Sequence, residues 1–427
     1  MQLHNHLGPA ALVVAVLAAC GGGGVGGLPA AGPSTGPGSG GTGLQTAKSG
    51  DLVSYARARL QQGTSQGLSL AAVGAAASPA PAAQDGTAGQ APQQESGVGE
   101  PDLLKTDGRH VHALHAWAPW ASPLQPARLT SHRINADGSL TEVGSATLDA
   151  AFRTPSMHLA ADIGRIAVIG EIDVGGNPVV QQAPMLTTTW PYRRRILLDV
   201  RPTPDRPAPA AVQRMEIDGH LVTSRLVGNV LYLASTWMAD LSRYPVPAGS
   251  TRAQVEAATA GLTTQELLPT IRVDGGAAQP LVNEGDCLIQ PANKSSSFQL
   301  TTLTAIDLGT GDLKRASRCL VGGTQALYMT AQSVYLASSE TYGEEVFIAI
   351  FPPRFPAAAR TDIHKFSLQG LQVDYRGSGQ VQGHLGWDRE KSPYRLSEHE
   401  GLLRVLSYTG QAGWLGAQGA SQASAPS

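Results

Sequence analysis

The chain has 427 residues, a formal net charge of −2 and only 15 % charged residues. A balance so close to neutral carries no basic footprint for nucleic acid, so that partner class is set aside. Gly (50) and Pro (29) exceed average usage, which fits either disordered low-complexity sequence or a turn-rich β fold.

From the N-terminus, Leu7 to Ala19 is an apolar run of signal-peptide length, shorter than the ~20 residues that cross a bilayer. It ends in Leu17-Ala18-Ala19-Cys20, which resembles a bacterial lipobox, where small residues fit the signal peptidase and the Cys thiol takes a diacylglycerol. On that reading residues 1–19 are a lipoprotein signal peptide and Cys20 is the lipidation site. The protein is then exported and held on the bacterial cell envelope, on the outer membrane in a Gram-negative cell, by acyl chains worth ~0.8 kcal/mol per buried CH₂. The alternative is an ordinary secretory signal in which Cys20 is incidental. Met1 to His6 contains no Lys or Arg, a departure from the usual positive flank.

Residues 20–48 read as a Gly-rich tether. Leu52, Val53, Tyr55, Ala56 and Leu60 then recur at helical spacing behind a capping Ser49, which predicts a short helix over 49–62. Residues 63–96 are Ala, Gln, Pro, Gly and Ser with hardly a bulky apolar side chain, the composition of a disordered linker.

Beyond Gly97 the chain repeats itself. A turn leading into an alternating apolar strand recurs at Asp107–Leu114, Ile163–Ile169, Val227–Ala234, Thr330–Ala337 and His399–Leu406. The first four are each followed by a second strand, at Ala127–Ile134, Arg194–Val200, Leu303–Leu308 and Asp362–Leu368. Turns such as Asp137-Gly138 and Gly309-Thr310-Gly311 lead on to an outer strand. Tandem antiparallel units without a helical period predict an all-β fold, a β-propeller over residues 97–415 with a polar tail at 416–427. Unit spacing runs from about 56 to 103 residues, against ~40–50 for compact propeller repeats. Loop insertions account for the excess. The largest, about Met238 to Ala292, contains a predicted helix at Thr251–Ala260. Four blades are complete and a fifth begins near Trp387, so the expectation is a partial propeller, completed by a longer gene product or by another chain.

The stretch Ser96-Gly97-Val98-Gly99-Glu100-Pro101-Asp102-Leu103-Leu104-Lys105-Thr106-Asp107-Gly108 resembles the signature of secreted bacterial and archaeal proteins with a C-terminal β-propeller distantly related to WD-type repeats. Arg225–Leu233, Thr361–Leu368 and Tyr394–Val405 extend the resemblance, which covers about Gly97 to Tyr408. It implies export and a propeller fold; the activity of such proteins is largely uncharacterised. Gly99 and Pro101 stand where that signature has Asp and Ala, which thins its acidic cluster.

Several groups of residues could carry chemistry. Glu100, Asp102 and Asp107 are candidates for a hard cation such as Ca²⁺, which takes six to eight oxygens, but solvated acids and an Asp-Gly turn explain them better. His110, His112 and His115, near Trp117 and Trp120, suggest a Zn²⁺ or Cu²⁺ site. No third ligand at a defined spacing follows, so ordinary strand histidines are favoured and no metal or other cofactor is assigned. In an exported protein, Cys287 and Cys319 favour a disulfide closing the insertion onto the third blade, with free buried thiols as the alternative. Arg193-Arg194-Arg195 after Trp190-Pro191-Tyr192 resembles a basic-aromatic patch, though it runs straight into an apolar strand. A Gly-x-Ser-x-Gly elbow, a Gly-rich phosphate loop and a His-Glu-x-x-His helix are absent. The sequence therefore favours a non-catalytic, membrane-tethered propeller that binds a protein or glycan. The alternatives are a propeller hydrolase or lyase with acids from several blades, and an envelope assembly factor whose ring a partner chain closes.

Overall fold

The computed structural model describes residues 14–18, 43–66, 93–116, 126–148, 152–174, 194–204, 213–247, 249–291, 298–324, 326–339, 360–386 and 391–409. Three elements precede the repeats: β1 (Val14–Ala18), β2 (Gln45–Thr46) and α1 (Asp51–Gln66). Blade 1 is β3 (Leu104–Thr106), β4 (His110–His115), β5 (Arg128–Ile134) and β6 (Leu140–Thr147). Blade 2 is β7 (Arg153–Ala160), β8 (Arg165–Asp173), β9 (Arg194–Pro202) and β10 (Gln213–Asp218). Blade 3 begins with β11 (His220–Val227) and β12 (Val230–Trp237). An insertion then supplies α2 (Arg252–Ala258), α3 (Thr264–Leu267), β13 (Thr270–Val273), β14 (Gln279–Pro280) and β15 (Cys287–Ile289). After it, β16 (Leu300–Asp307) and β17 (Arg315–Val321) complete blade 3. Blade 4 is β18 (Ala326–Met329), β19 (Ser333–Ser339), β20 (Arg360–Gln369) and β21 (Gln372–Gln382); blade 5 is β22 (Leu396–His399) and β23 (Leu402–Leu406).

Within each blade successive strands pair antiparallel, giving four full meanders and the start of a fifth, as the repeats predict. The turns do what their residues require. Asp107 Oδ1 accepts the N–H groups of Arg109 (2.8 Å) and His110 (2.6 Å), while Gly108 takes φ +83°, a conformation that other L-residues rarely adopt.

The apolar runs make sense once the blades are stacked. Strand side chains alternate between two faces, and in the inner blades each face meets a neighbour. Ile166 and Val168 pack toward blade 1 with Leu114 and Leu129, whereas Ala167 and Ile169 pack toward blade 3 with Leu231 and Leu233. Tyr232 and Ala234 join the next cluster with Leu336 and Phe366, and Tyr328 and Tyr335 join the last with Leu403 and Val405. Four clusters thus join five blades in sequence. Burial on both faces is why strands read as alternating, such as Arg165–Asp173, also carry apolar residues at successive positions.

The region assigned to the tether and the short helix needs correcting. Residues 43–48 include β2, which pairs with β15 at the outer edge of blade 3, and Leu44 and Ala47 are buried there. Leu44 N–H also donates to the Tyr375 hydroxyl at 3.1 Å. Only Leu44 and Ala47 signal this in the sequence; the order comes from a strand edge more than 200 residues away. The helix runs to Gln66 rather than residue 62, so the first residues of the predicted linker are helical. Its Leu52 and Ala56 are fully buried in the largest cluster, and the Glu284 carboxylate accepts Gly50 N–H (3.1 Å) and Leu52 N–H (2.9 Å) at its start. The insertion helix forms as predicted, over Arg252–Ala258, with a capping box between Thr251 and Gln254. The insertion widens two blades: β13 and β14 extend blade 2 beyond β10, and β15 extends blade 3 by parallel pairing with β17.

The ends of the stack differ from its middle. Among the described residues, no apolar cluster joins blade 5 to blade 1. Leu103, Leu104, Ile134, Leu140 and Val143, all in or beside blade 1, are exposed, as are Tyr394 and Tyr408 at blade 5. In the leader, β1 pairs antiparallel with β23, Val14 opposite Leu406 and Leu17 opposite Leu403.

Candidate functional site at the propeller axis

Each blade puts its first strand innermost, so β3, β7, β11, β18 and β22 surround the axis. Residues 94–103, the end of the linker and the first part of the signature, run along these strands and touch every blade in turn. Gln94 Nε2 donates to the carbonyls of Pro393 (2.9 Å) and Leu396 (3.3 Å) at blade 5. Glu95 Oε1 accepts from the Tyr328 hydroxyl of blade 4 at 2.5 Å, and that hydroxyl accepts Glu398 N–H at 2.7 Å. Val98 is buried between blades 3 and 4. Gly99 exchanges both backbone hydrogen bonds with Leu226 of blade 3 (2.7 and 2.9 Å), and Asp102 does so with Met157 of blade 2 (3.1 and 2.8 Å). The segment then becomes β3 of blade 1. Linker residues 93–96 therefore belong to the axis, which the composition of the linker did not reveal.

The charges on this segment meet opposite charges on the strands. Glu100 Oε1 lies 3.6 Å from Arg225 Nη2, and its backbone carbonyl accepts from Lys105 Nζ at 2.6 Å. Burial lowers the pKa of Lys105, opposed by Asp102 and Glu100; burial also lowers that of Arg225, opposed by Glu100 and Tyr394. At the other end Lys365 Nζ lies 3.2 Å from Glu398 Oε1 and 5.1 Å from the Tyr335 ring centroid. Burial pushes the Tyr328 and Tyr335 hydroxyls above the ordinary phenol value, and the Glu95 and Glu398 carboxylates reinforce it. The outcome is a partly buried, internally compensated network.

One pair in it has the form of a nucleophile and a base: His158 Nε2 and Ser224 Oγ are 2.8 Å apart. Catalysis would need a base near neutral pKa, held in one tautomer by a third group. Burial, with Lys105 and Arg225 adding to it, lowers the His158 pKa to about 3. Its Nδ1 has no hydrogen-bond partner among the described residues, and both side chains are buried. The pair is built as a packed contact between blades 2 and 3. The axial placement of His158, Ser224, Arg225 and Tyr394 was not foreseen; His158, Ser224 and Arg225 lie on first strands, Tyr394 in the turn before β22, and Arg225 and Tyr394 open segments that carry the family resemblance.

The candidate cation ligands are not brought together. Glu100 faces Arg225, Asp102 Oδ1 accepts Leu103 N–H at 2.7 Å, and Asp107 is occupied by the blade 1 turn. Thr106 also belongs to that turn, its hydroxyl donating to the His110 carbonyl at 2.7 Å. Among the described residues no group of three His, Cys, Asp or Glu side chains is arranged to hold a metal. His110 and His112 share the face of β4 turned to blade 2, His110 beside Asp107 (3.2 Å) and His112 on Ser131 Oγ (2.8 Å). His115 lies on the other face and contacts Thr130 Oγ1 (3.0 Å). The basic patch is taken up internally: Arg194 binds Glu171 (2.8 Å), and Arg195 binds Glu216 (3.0 Å) and Asp218 (2.9 Å). A disulfide joins Cys287 and Cys319, register partners on β15 and β17, and fastens the insertion to blade 3. Cys20, Trp117, Trp120, Arg193 and Trp190–Tyr192 lie outside the described residues.

Tandem meanders around a filled axis define a β-propeller protein. The family model described as "Beta propeller domain" matches residues 91–424, and the chain belongs to that family. No match is found among curated proteins.

Proposed function

We propose that this chain is an exported propeller, anchored to the bacterial envelope through Cys20, that binds a protein or glycan and performs no catalysis. The observation that carries the reading is the axis. The place where groups from several blades converge is occupied by the chain's own signature segment, whose carboxylates neutralise the axial cations. A hydrolase or lyase needs that convergence open to substrate. The anchor reading rests on Leu17-Ala18-Ala19-Cys20, and its test is fractionation: the parent should partition into detergent and Cys20→Ser into the soluble envelope fraction. Equal partitioning of both would end the lipoprotein reading. Catalysis has its own test, because an activated Ser224 would react with a fluorophosphonate probe. No labelling is expected; labelling that disappears in Ser224→Ala would replace the binding reading with a serine hydrolase.

The exposed apolar side chains of blade 1 favour a second reading, in which a partner chain packs on the ends of the stack and closes the ring.

A further inference from the structure

Blades 1 to 4 each have a third strand paired to the second, and in blade 5 the corresponding position lies along the outer edge of β23. The orientation of that edge follows from contacts on the opposite side. Glu398 N–H donates to the Tyr328 hydroxyl and the Leu396 carbonyl accepts from Gln94, so the backbone groups of Leu396 and Glu398 point to the axis, away from β23. Their register partners are Val405 and Leu403. In an antiparallel pair, residues opposite such outward-pointing ones also turn their N–H and C=O outward. Leu403 and Val405 therefore present their backbone groups along the outer edge of β23, while their side chains fill the last apolar cluster. The third strands of the inner blades show what suits this position. β9 brings Ile196, Leu197, Leu198 and Val200, and β20 brings Ile363 and Phe366, all buried.

We propose that the outer edge of β23 is a strand-acceptor site for an extended apolar segment of a partner chain, added antiparallel as the third strand of blade 5. The chain itself shows the fit: β1, from the apolar core of the leader, takes this position, with Leu17 opposite Leu403 and Ala15 opposite Val405. Cleavage before Cys20 would remove β1 and leave the edge without a paired strand among the described residues. Main-chain hydrogen bonds supply affinity in this mode of recognition, and alternate side chains supply selectivity. The proposal deepens the binding reading by naming the chemistry of the partner.

The test uses the full chain and the double variant Ala15→Pro/Leu17→Pro, because proline has no N–H to pair and empties the site. Hydrogen exchange should find the Leu403 and Val405 amides protected in the parent and unprotected in the variant, with Leu402 and Arg404, paired to β22, protected in both. A peptide of residues 12–19 flanked by lysines should bind the variant saturably and restore that protection. The same peptide N-methylated at residues 15 and 17 should bind about tenfold more weakly or worse, having lost two ladder bonds. Equal binding of both peptides, or unprotected Leu403 and Val405 amides in the parent, overturns the proposal. Neither arm involves acylation, so failure here leaves the anchor reading to its own test.

Discussion

Blades 1 and 3 share one topology and differ in what lies beside them. The third strand of blade 3, β16, is buried from Leu300 to Ile306, with threonines alternating among its apolar residues. The third strand of blade 1, β5, is buried only at Leu129, Thr130 and Ser131, and its neighbour β6 is exposed over most of its length. Blade 3 has a blade on each face, an insertion along its outer edge, and a disulfide. Among the described residues, blade 1 has a neighbour on one face. A blade is thus not a unit of stability in itself; its apolar residues count when a second sheet covers them.

The sharpest way to break this comparison is a pair of matched truncations. Leu231→Ala, in the middle of the stack and fully buried, should cost about 2–5 kcal/mol in denaturant unfolding. Leu140→Ala on blade 1 should change stability by no more than about 0.5 kcal/mol. Similar losses at both sites would mean that blade 1 is covered after all.

Next in size is the clamp on blade 3. Cys287→Ser/Cys319→Ser should lose about 2–4 kcal/mol, a value typical of closing a loop of this kind, and reductant should lower the parent's melting temperature and leave the variant's unchanged. A parent insensitive to reductant would show that the β15–β17 pairing holds without the bond.

A smaller effect separates the blades by pH. Glu171 ties blade 2 to blade 3, accepting Leu221 N–H (2.9 Å) and facing Arg194 and His220. Burial alone would raise its pKa, yet His220, the Leu221 N–H and Arg194 together hold it below the ordinary Glu value. A carboxyl lowered in the folded state contributes stability that is present above its unfolded pKa and lost as pH falls through the folded one. Glu171→Gln should therefore lose stability at pH 7 and show a shallower decline on acidification than the parent. His158 acts in the same direction at higher pH, because it stays neutral when folded down to about 3 and would protonate near 6.5 when unfolded. Stability tied to it should start to fall below about pH 6.5, and NMR titration should find its ring neutral at pH 5. A ring that titrates near 6.5 would show the axial packing to be open.

The smallest expected effect concerns the free face of blade 1. Leu104→Ser/Leu140→Ser should reduce binding of a hydrophobic dye with little change in unfolding midpoint. Unchanged dye binding would move the exposed apolar surface elsewhere.

Legibility followed the range of the interactions. The turn Asp107-Gly108 and the strand after it were readable because the turn is made within a few residues. The disulfide was readable from two cysteines taken together with the export expected from the leader. The axial role of residues 94–103 was not, because Gln94, Glu95, Gly99 and Asp102 each find a partner on a different blade. Their sequence separation from those partners runs from tens of residues to about 300. The signature was visible as a motif and its acids read as solvated, with a cation site as the lesser alternative; that Glu100 faces Arg225 was visible only in the structure. Arg194 and Arg195 read as a solvated strand entrance, and their ion pairs were hidden because Glu171 and Glu216 lie on neighbouring strands and not beside them in the chain.

By itself, the sequence determined the all-β class, the number of meanders, the turns between strands and the helix in the insertion. Each depends on local periodicity or on residues with restricted backbone conformations. Only the tertiary structure decided which charges are neutralised, that residues 43–66 dock on the insertion, that His158 and Ser224 are buried together between blades 2 and 3, and that residues 94–103 fill the axis. Those outcomes depend on burial and on charges meeting across blades, and both are set by the stacking of sheets that no local window of sequence contains.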